Sequence, residues 1–321
     1  MSKIITVVGA TGIQGGSVVN ALLDDAQYSI RAITRNTNSD AAKALTDRGV
    51  EVVQADLNDV ISLKAAFAGS YAIFAVTNFF EALPTQGVEK AMEIEIRLGS
   101  NLADAAAATE SLVHYVWSTL PNSRKLSGGK AVVPYYDSKN RIDDHVRSIP
   151  ALLAKTTFLW IGWYASNMEY PWNKPTQIAT EDGSKSYVML LSAPASVKIP
   201  MAGDQRINTG LLAKAIFGQP EKTLGGKIVA GVEGNMTYGE MAHIYGAAQG
   251  IKVRTVQISA SDFVQLWPTF GGLMHTTNEY MELLDGKAFT SPDEEVLSVK
   301  DLGVEGFVTS AKVFGAKKLF D

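Results

Sequence analysis

The chain of 321 residues has no cysteine and only four histidines. The absence of cysteine excludes disulfides, thiolate nucleophiles and cysteine-ligated metal sites. The histidines stand far apart, at positions 114, 145, 243 and 275, and their spacing is not that of a metal site. We therefore predict a protein without a metal centre.

Long apolar runs and an excess of basic charge are also lacking. No stretch reaches the roughly 18 apolar residues of a membrane-spanning helix, and the first eight residues lack the order of a signal peptide. With 29 Lys and Arg against 33 Asp and Glu, the net charge is −4, and no basic run is present to attract nucleic acid. These absences predict a cytoplasmic protein that binds neither a membrane nor nucleic acid directly.

What the first half of the chain does have is a regular alternation of short β-branched runs and amphipathic segments. This rhythm is typical of a parallel sheet wrapped by helices, so we predict an α/β, doubly wound Rossmann fold. The predicted strands are 4–8, 29–34, 51–55, 72–76, 112–117 and 156–161, and the predicted helices are 17–23, 41–47, 60–67, 88–108 and 135–147.

Beyond about residue 162 the rhythm is lost. Helices are predicted at 211–217 and 238–249, and strands at 227–230 and 253–258. We therefore predict a nucleotide-binding domain over 1–160 and a smaller, irregular carboxyl-terminal α/β lobe over 161–321. The boundary is soft, and the chain has room to cross between the two parts more than once.

A three-glycine motif, G-x-x-G-x-x-G, follows the first strand and precedes the first helix. Glycine allows the tight turn, the close approach of a pyrophosphate and the packing of helix on strand, and the helix amino terminus offers free N–H groups to the phosphates. The alternative is a glycine-rich turn that binds nothing. The predicted phosphate-binding residues are Gly9, Thr11, Gly12, Ile13, Gln14 and Gly15.

The end of the second strand distinguishes the two nicotinamide dinucleotides. Sites for NAD usually have Asp or Glu there, bonded to the ribose 2′-hydroxyl, whereas this chain has Arg35, and its nearest acid is Asp40. A guanidinium suits a 2′-phosphate, so we predict NADP; the alternative is an arginine that faces solvent. After the third strand, Asp56 is predicted either to bond the adenine amino group or to cap a helix, and Leu57 belongs to the same site.

A candidate catalytic group follows the fifth strand. Tyr135 and Lys139 are four residues apart and share one helix face, and a lysine beside a phenol lowers the pKa of the tyrosine. Ser118 ends the fifth strand, where its hydroxyl would orient a substrate carbonyl. The alternatives are that Tyr135 only packs while Lys139 binds the cofactor ribose, or that Thr119 or Tyr136 is the working neighbour.

Specific motifs cover most of residues 1–175: Gly9–Gly16, Thr34–Asn36, Val52–Asp59, Val76–Phe79, Val116–Thr119, Tyr136–Lys139 and Trp163–Asn167. In these motifs the chain resembles the NmrA-like family, atypical members of the short-chain dehydrogenase superfamily. The resemblance implies a Rossmann domain that prefers NADP. It also implies that Thr77, Asn78 and Phe79 border the nicotinamide, that Lys139 meets its ribose, and that Trp163, Tyr164 and Asn167 line the cleft.

The resemblance implies two kinds of function. Some relatives are nucleotide-sensing regulators that bind other proteins, including transcription factors, and commonly lack the tyrosine of the Tyr-x-x-x-Lys pair; others are reductases. Because Tyr135 is present, the favoured hypothesis is an NADPH-dependent reductase of a C=O, C=N or activated C=C bond. The other is a sensor with nuclear access, in which NADP(H) orders the loop 78–87. A flat apolar substrate would suit the following aromatic residues, which otherwise pack in the core: Trp160, Trp163, Tyr164, Trp172, Trp267 and Phe270.

Overall fold

The computed structural model describes residues 2–316. Its strands, in chain order, are β1 (Lys3–Val8), β2 (Tyr28–Thr34), β3 (Glu51–Gln54), β4 (Ala72–Ala75), β5 (His114–Thr119), β6 (Thr156–Ile161), β7 (Trp163–Tyr164), β8 (Thr176–Ala179), β9 (Lys185–Leu191), β10 (Lys198–Gly203), β11 (Lys227–Gly231), β12 (Gly234–Thr237), β13 (Val253–Gln257) and β14 (Val296–Ser298).

The helices connect and cover these strands. They are α1 (Ile13–Leu22), α2 (Asp40–Asp47), α3 (Val60–Phe67), α4 (Phe79–Ala107), α5 (Ser123–Leu126), α6 (Pro134–Arg147), α7 (Pro150–Leu153), α8 (Gln205–Gly218), α9 (Pro220–Thr223), α10 (Tyr238–Gln249), α11 (Ala260–Leu266), α12 (Gly271–Leu284) and α13 (Ser310–Ala316), with a short 3-10 helix at Ala165–Glu169.

The main sheet has eight strands in the order β3-β2-β1-β4-β5-β6-β11-β14. Every neighbouring pair in it is parallel, and Ile5 of β1 is flanked by Ile30 of β2 and Ala72 of β4. The strand order reverses between β1 and β4, which is the switch point where open α/β sheets bind ligands. The predicted doubly wound Rossmann fold is therefore confirmed.

The centre of this sheet is buried on both faces because helices cover both. All residues of β4, β5 and β6 are buried, as expected of parallel strands between helical layers. Two glycines allow the closest helix contacts. A Cβ at Gly210 of α8 would lie 2.1 Å from the carbonyl oxygen of Ser17 in α1, and one at Gly99 of α4 would lie 2.4 Å from the Ile142 side chain in α6.

The predicted strands and helices of the first half are confirmed, with two differences at helix starts. Helix α1 begins at Ile13, four residues before the predicted start, because the glycine turn leads directly into it. The predicted loop 78–87 is helical from Phe79 onward, and α4 is interrupted only at Gly87, whose φ of 75° and ψ of 173° are non-helical. Pro84 lies in the second turn of α4, where it has no N–H to donate to the carbonyl of Phe80 and so weakens the helix locally.

The second half of the chain forms two three-stranded sheets, β7-β10-β12 and β8-β9-β13. It also returns to the main sheet, since β11 pairs with β6 and β14 pairs with β11. A division at residue 160 stays a prediction. The ends of the two predicted ranges, Met1 and 317–321, lie outside the described residues.

Residues 2–316 contain neither a helix that could span a membrane nor a cluster of metal-binding side chains. None of the helices described is long and apolar enough to cross a membrane. Within the same residues, no three His, Asp or Glu side chains lie close enough together to hold a metal ion.

Candidate functional site

The glycine loop between β1 and α1 forms a cradle that a side chain would fill. Gly9 has a φ of +69°, and its carbonyl oxygen accepts a hydrogen bond of 2.8 Å from the N–H of Gly12. A Cβ at Gly15 would lie 2.2 Å from the same oxygen. Gly12 is the N-cap of α1 and makes no side-chain cap, so the first N–H groups of the helix stay open beside the exposed Thr11 and Ile13. This geometry suits a pyrophosphate.

Gln14 joins the loop to the neighbouring strands. Its Oε1 accepts a hydrogen bond of 2.7 Å from Ser118 Oγ at the end of β5, and its Nε2 donates to Tyr164 Oη of β7 at 2.5 Å. Burial raises the pKa of Tyr164 to about 12, so the phenol is protonated at neutral pH. The predicted role of Ser118 would require its hydroxyl to leave Gln14.

Arg35 extends from the end of β2 into solvent and forms an ion pair across the sheet edge. Its Nη1 lies 2.9 Å from Glu81 Oε1, with 73% of the Arg35 side chain and 58% of the Glu81 side chain exposed. The Arg35 carbonyl accepts a hydrogen bond from Gln54 Nε2 at 3.2 Å. The backbone of Arg35 is therefore held by Gln54, and its guanidinium is paired with an exposed carboxylate.

Asp56 follows β3 at the same edge but does not cap a helix. Asp59 is the N-cap of α3, whereas Asp56 accepts hydrogen bonds from the backbone and side-chain amides of Asn58. These bonds, together with the charge of Arg35, hold the pKa of Asp56 below its usual value. Leu57 is partly buried, and its carbonyl accepts from Asn101. The helix-cap alternative for Asp56 is wrong.

Lys139 lies in a buried polar network that the sequence analysis missed. Its Nζ is 3.2 Å from Glu95 Oε1 of α4, and 11% of the lysine side chain and 1% of the glutamate side chain are exposed. The same Nζ donates to Thr77 Oγ1 at 3.1 Å and lies within 3.4 Å of the carbonyl oxygens of Thr77 and Ser118.

Two hydroxyls complete the solvation of Glu95. Thr77 Oγ1 donates to Oε1 at 2.8 Å, and Ser138 Oγ donates to Oε2. A buried charge is tolerated when it is paired and hydrogen-bonded, and this network meets both conditions. The ammonium of Lys139 is therefore positioned by four oxygen atoms, and the carboxylate of Glu95 neutralises its charge.

Tyr135 begins the same helix, α6, but its hydroxyl does not turn toward Lys139. Its Oη lies 3.2 Å from Thr277 Oγ1 of α12. Burial raises the pKa of Tyr135 to about 12, while the contacts with Thr277 and Tyr136 lower it. The predicted lowering of the pKa by Lys139 is wrong, because the burial of the phenol raises the pKa instead.

The three residues expected beside the nicotinamide lie in succession after β4 but differ in surroundings. Thr77 is buried in the Lys139 network. Asn78 is exposed and is the N-cap of α4, where its side chain accepts from the N–H of Phe80. Phe79 is buried in a small apolar cluster with Leu83, Ala91 and Leu273.

A row of five aromatic rings runs from the surface to Tyr135, and we call it the aromatic row. Tyr170 stacks on Trp172 at 4.9 Å between ring centroids, and Trp172 stacks on Phe270 at 4.6 Å. Phe270 lies 6.5 Å from Phe80, which lies 5.2 Å from Tyr135. Trp172 and Phe270 were expected near a substrate from the sequence, whereas Phe80 was not. Its position beside Phe79, at the start of a predicted loop, could have indicated that its ring belongs to the site.

The other aromatic residues expected around a substrate are placed differently. Trp160 is buried against Phe289, and Trp267 packs edge-on against Phe263. Trp163 is half-buried in β7, opposite Met201 of β10.

Asn167 belongs to the 3-10 helix that follows β7. Its carbonyl accepts from the Tyr170 backbone at 3.1 Å and from the Asn173 side chain at 2.9 Å. These bonds hold the turn that carries the outer end of the aromatic row. A cleft lined by Trp163, Tyr164 and Asn167 stays a prediction.

Comparison with known proteins gives a family match over most of the chain. Residues 1–300 match the model of the NmrA-like family. A similar protein is the NmrA-like family domain-containing oxidoreductase hkm9 of Aspergillus hancockii, 28% identical over 277 residues, which cover 84% of this chain and 77% of the relative. The resemblance predicted from the sequence motifs is confirmed.

Solved structures share the fold. NmrA, a negative transcriptional regulator, in complex with NADP has a TM-score of 0.71 at 22% identity, covering 98% of this chain and 95% of that one. The same regulator in complex with NAD also has a TM-score of 0.71, at 20% identity with the same coverage. A binary complex of leucoanthocyanidin reductase and NADPH from Vitis vinifera has a TM-score of 0.69 at 18% identity, covering 97% and 98%. At such low identities, these likenesses establish the fold alone.

Proposed function

The chain belongs to the NmrA-like family, and on that premise we propose that it is an NADPH-dependent reductase of a small, flat aromatic or apolar molecule. The observation that carries the proposal is the aromatic row, which leads from the surface to the ring of Tyr135, one helical turn from Lys139. The bond reduced is a C=O, C=N or activated C=C bond. Relatives named as oxidoreductases support this assignment.

The proposed cofactor site is based on side chains and backbone groups that suit the parts of NADP(H). The open N–H groups after Gly12 would hold the pyrophosphate, Arg35 the 2′-phosphate and Lys139 the nicotinamide ribose. Asp56 and Leu57 would border the adenine, while the segment from Thr77 to Phe79 would border the nicotinamide. NADPH supplies a hydride when bound, as in other dehydrogenases of this type.

Tyr135 is the proposed proton donor. Its pKa of about 12 keeps the phenol protonated at neutral pH, so its O–H is available to donate to the substrate atom that gains negative charge. The bond with Thr277 is the one that must be released. Lys139 would position the ribose while it stays paired with Glu95, and burial keeps the Tyr135 phenol un-ionised. Ser118 would hold the polarised atom after exchanging its bond with Gln14.

The test is turnover by the purified protein with Tyr135→Phe as the variant. We expect NADPH oxidation, followed at 340 nm with aromatic aldehydes, quinones, imines and enones, to fall by roughly 10²–10⁴-fold in the variant, while the dissociation constant for NADPH stays unchanged. Tyr170→Phe is the matched control, because it also removes a phenolic hydroxyl from the aromatic row and keeps the ring. Full activity in Tyr135→Phe would contradict the role of the tyrosine.

A second candidate is a nucleotide-sensing regulator without turnover. The observation that favours it is that the Tyr135 hydroxyl and the Lys139 ammonium have separate partners, Thr277 and Glu95, and the phenol pKa is raised rather than lowered. In this case NADP(H) would act through the segment 78–87 on a protein partner, in the cytoplasm or, for a transcriptional regulator, in the nucleus. Tight NADPH binding without turnover of any compound in the panel, with altered hydrogen exchange in 78–87, would support the regulator over the reductase.

A further inference from the structure

The carboxylate that holds Arg35 comes from a different part of the fold. Arg35 follows β2, whereas Glu81 lies in the first turn of α4, after β4. Their side chains meet at 2.9 Å although 46 positions separate them in the chain (81 − 35 = 46). The usual acid of an NAD site, at the end of β2, is absent, but an acid from α4 reaches the same guanidinium.

We propose that Glu81 is a specificity-determining residue, which competes with the 2′-phosphate of NADP for Arg35 and so narrows the preference for NADP over NAD. The inference rests on the cofactor part of the proposed function and not on turnover. A phosphate bound by Arg35 must displace Glu81 or lie beside it, and two anions near one guanidinium repel each other. NAD has no such phosphate, and with NAD the ion pair can persist.

The exposure of the pair sets the size of the effect. Both side chains are more than half exposed, and such pairs are weak because water and salt screen them. The phosphate can therefore win the competition, at a loss of affinity that we expect to be about three- to fivefold. Arg35 consequently favours NADP, and Glu81 limits how strongly it does so.

Glu81 also has a chemical role open to it when NAD binds. A carboxylate near the end of β2 accepts a hydrogen bond from the ribose 2′-hydroxyl in NAD-binding Rossmann domains. Glu81 offers such an acceptor next to Arg35 from the neighbouring helix. Removal of its charge is therefore expected to leave NADH binding unchanged or weaker, never tighter.

The test measures binding of NADPH and NADH, by nucleotide fluorescence and calorimetry without any substrate. Glu81→Gln is expected to raise the ratio of the NADH to the NADPH dissociation constant about three- to fivefold, and Arg35→Gln to lower it. Glu89→Gln, an exposed acid on the same helix, removes the same charge away from Arg35 and is the matched control, with an unchanged ratio. In the double variant Arg35→Gln/Glu81→Gln, loss of Glu81 is expected to add nothing, because the competition acts through Arg35.

Three outcomes overturn the inference. An unchanged ratio in Glu81→Gln means that no competition exists, and an equal gain with and without Arg35 means simple repulsion rather than competition. If neither nucleotide binds, the cofactor assignment fails with it. If the ratio changes as expected and no compound is reduced, only the reductase is lost and Glu81 keeps its role.

Discussion

Helix α4 carries two glutamates that each pair with a cation proposed to bind the cofactor, in opposite surroundings. Glu81 meets Arg35 at the edge of the sheet with most of both side chains in solvent. Glu95 pairs with Lys139, and both side chains are almost completely buried. The carboxylate of Glu95 also accepts hydrogen bonds from two hydroxyls. One helix therefore holds an exposed ion pair at the side proposed for the adenosine and a buried ion pair at the side proposed for the nicotinamide.

The comparison separates a pair that a ligand can replace from a pair that the fold requires. An exposed ion pair contributes about 0–1 kcal/mol and is easily exchanged for another anion. Breaking a buried pair leaves an uncompensated charge, which costs several kcal/mol. Arg35 would therefore be free to change partner if nucleotide bound as proposed, whereas Lys139 would have to contact the proposed ribose without leaving Glu95.

The largest expected effect is on the buried pair. Glu95→Ala is expected to lower the free energy of unfolding by about 3–5 kcal/mol, because it leaves the ammonium of Lys139 buried without a counter-ion. Urea unfolding followed by tryptophan fluorescence measures it, with Glu89→Ala on the exposed face of α4 as the control. The double variant Glu95→Leu/Lys139→Met is expected to be more stable than Glu95→Ala, since it removes both charges. A cost below about 1 kcal/mol for Glu95→Ala would abolish the distinction between the two pairs.

A third carboxylate sharpens the comparison because it is partly buried and forms no ion pair with any residue of 2–316. Asp143 of α6 accepts from the Trp117 indole at 2.8 Å and from Asn140 at 3.4 Å, and burial raises its pKa to about 7. The unfolded chain loses this proton near pH 4. The stability contributed is therefore complete below about pH 4, and it is lost as the pH rises to about 7.

Asp143→Asn is expected to remove this pH dependence. The wild-type protein should lose about 2 kcal/mol more of its unfolding free energy between pH 5 and pH 8 than the variant does. Denaturant unfolding at the two pH values measures the difference, and Asp144→Asn, the exposed neighbour in the same helix, serves as the control. Parallel pH profiles of the wild type and Asp143→Asn would show that Asp143 titrates as an ordinary surface acid.

The smallest expected effect is on the stability contributed by the exposed pair. Glu81→Gln is expected to change the free energy of unfolding by less than about 1 kcal/mol at low salt. The change should vanish in 1 M NaCl, where the screening length is about 3 Å. The penalty of Glu95→Ala should persist at the same salt concentration. A salt-independent loss in Glu81→Gln would place Glu81 in the fold rather than in the ligand site.

Part of the site was open to prediction because it depends on short stretches of chain. The glycine loop, Arg35 at a strand end and the pair Tyr135 and Lys139 were all found from local patterns. Glu95 was missed although a signal existed. It lies on the buried stripe of α4 with Ala91, Gly99 and Leu102, and an acid in an apolar stripe indicates a buried partner.

The partner choices of Tyr135 were not open to prediction in the same way. The four-residue spacing predicts that Tyr135 and Lys139 share a helix face, and they do lie on α6. The spacing does not predict that α12 brings Thr277 to the phenol or that α4 brings Glu95 to the lysine. Burial between these elements raises the pKa of Tyr135, opposite to the expectation.

The sequence by itself determined the doubly wound parallel sheet, the glycine cradle after β1 and the family, because each depends on periodicity or on a motif within a few consecutive residues. Tertiary structure alone decided which side chains face one another: Glu81 on Arg35, Glu95 on Lys139, and Phe80 between Phe270 and Tyr135. The physical reason is that a helix or strand is specified by local spacing, whereas an ion pair or a ring contact depends on how distant elements pack. Burial, which distinguishes the two ion pairs of α4, is a property of that packing and of no single segment.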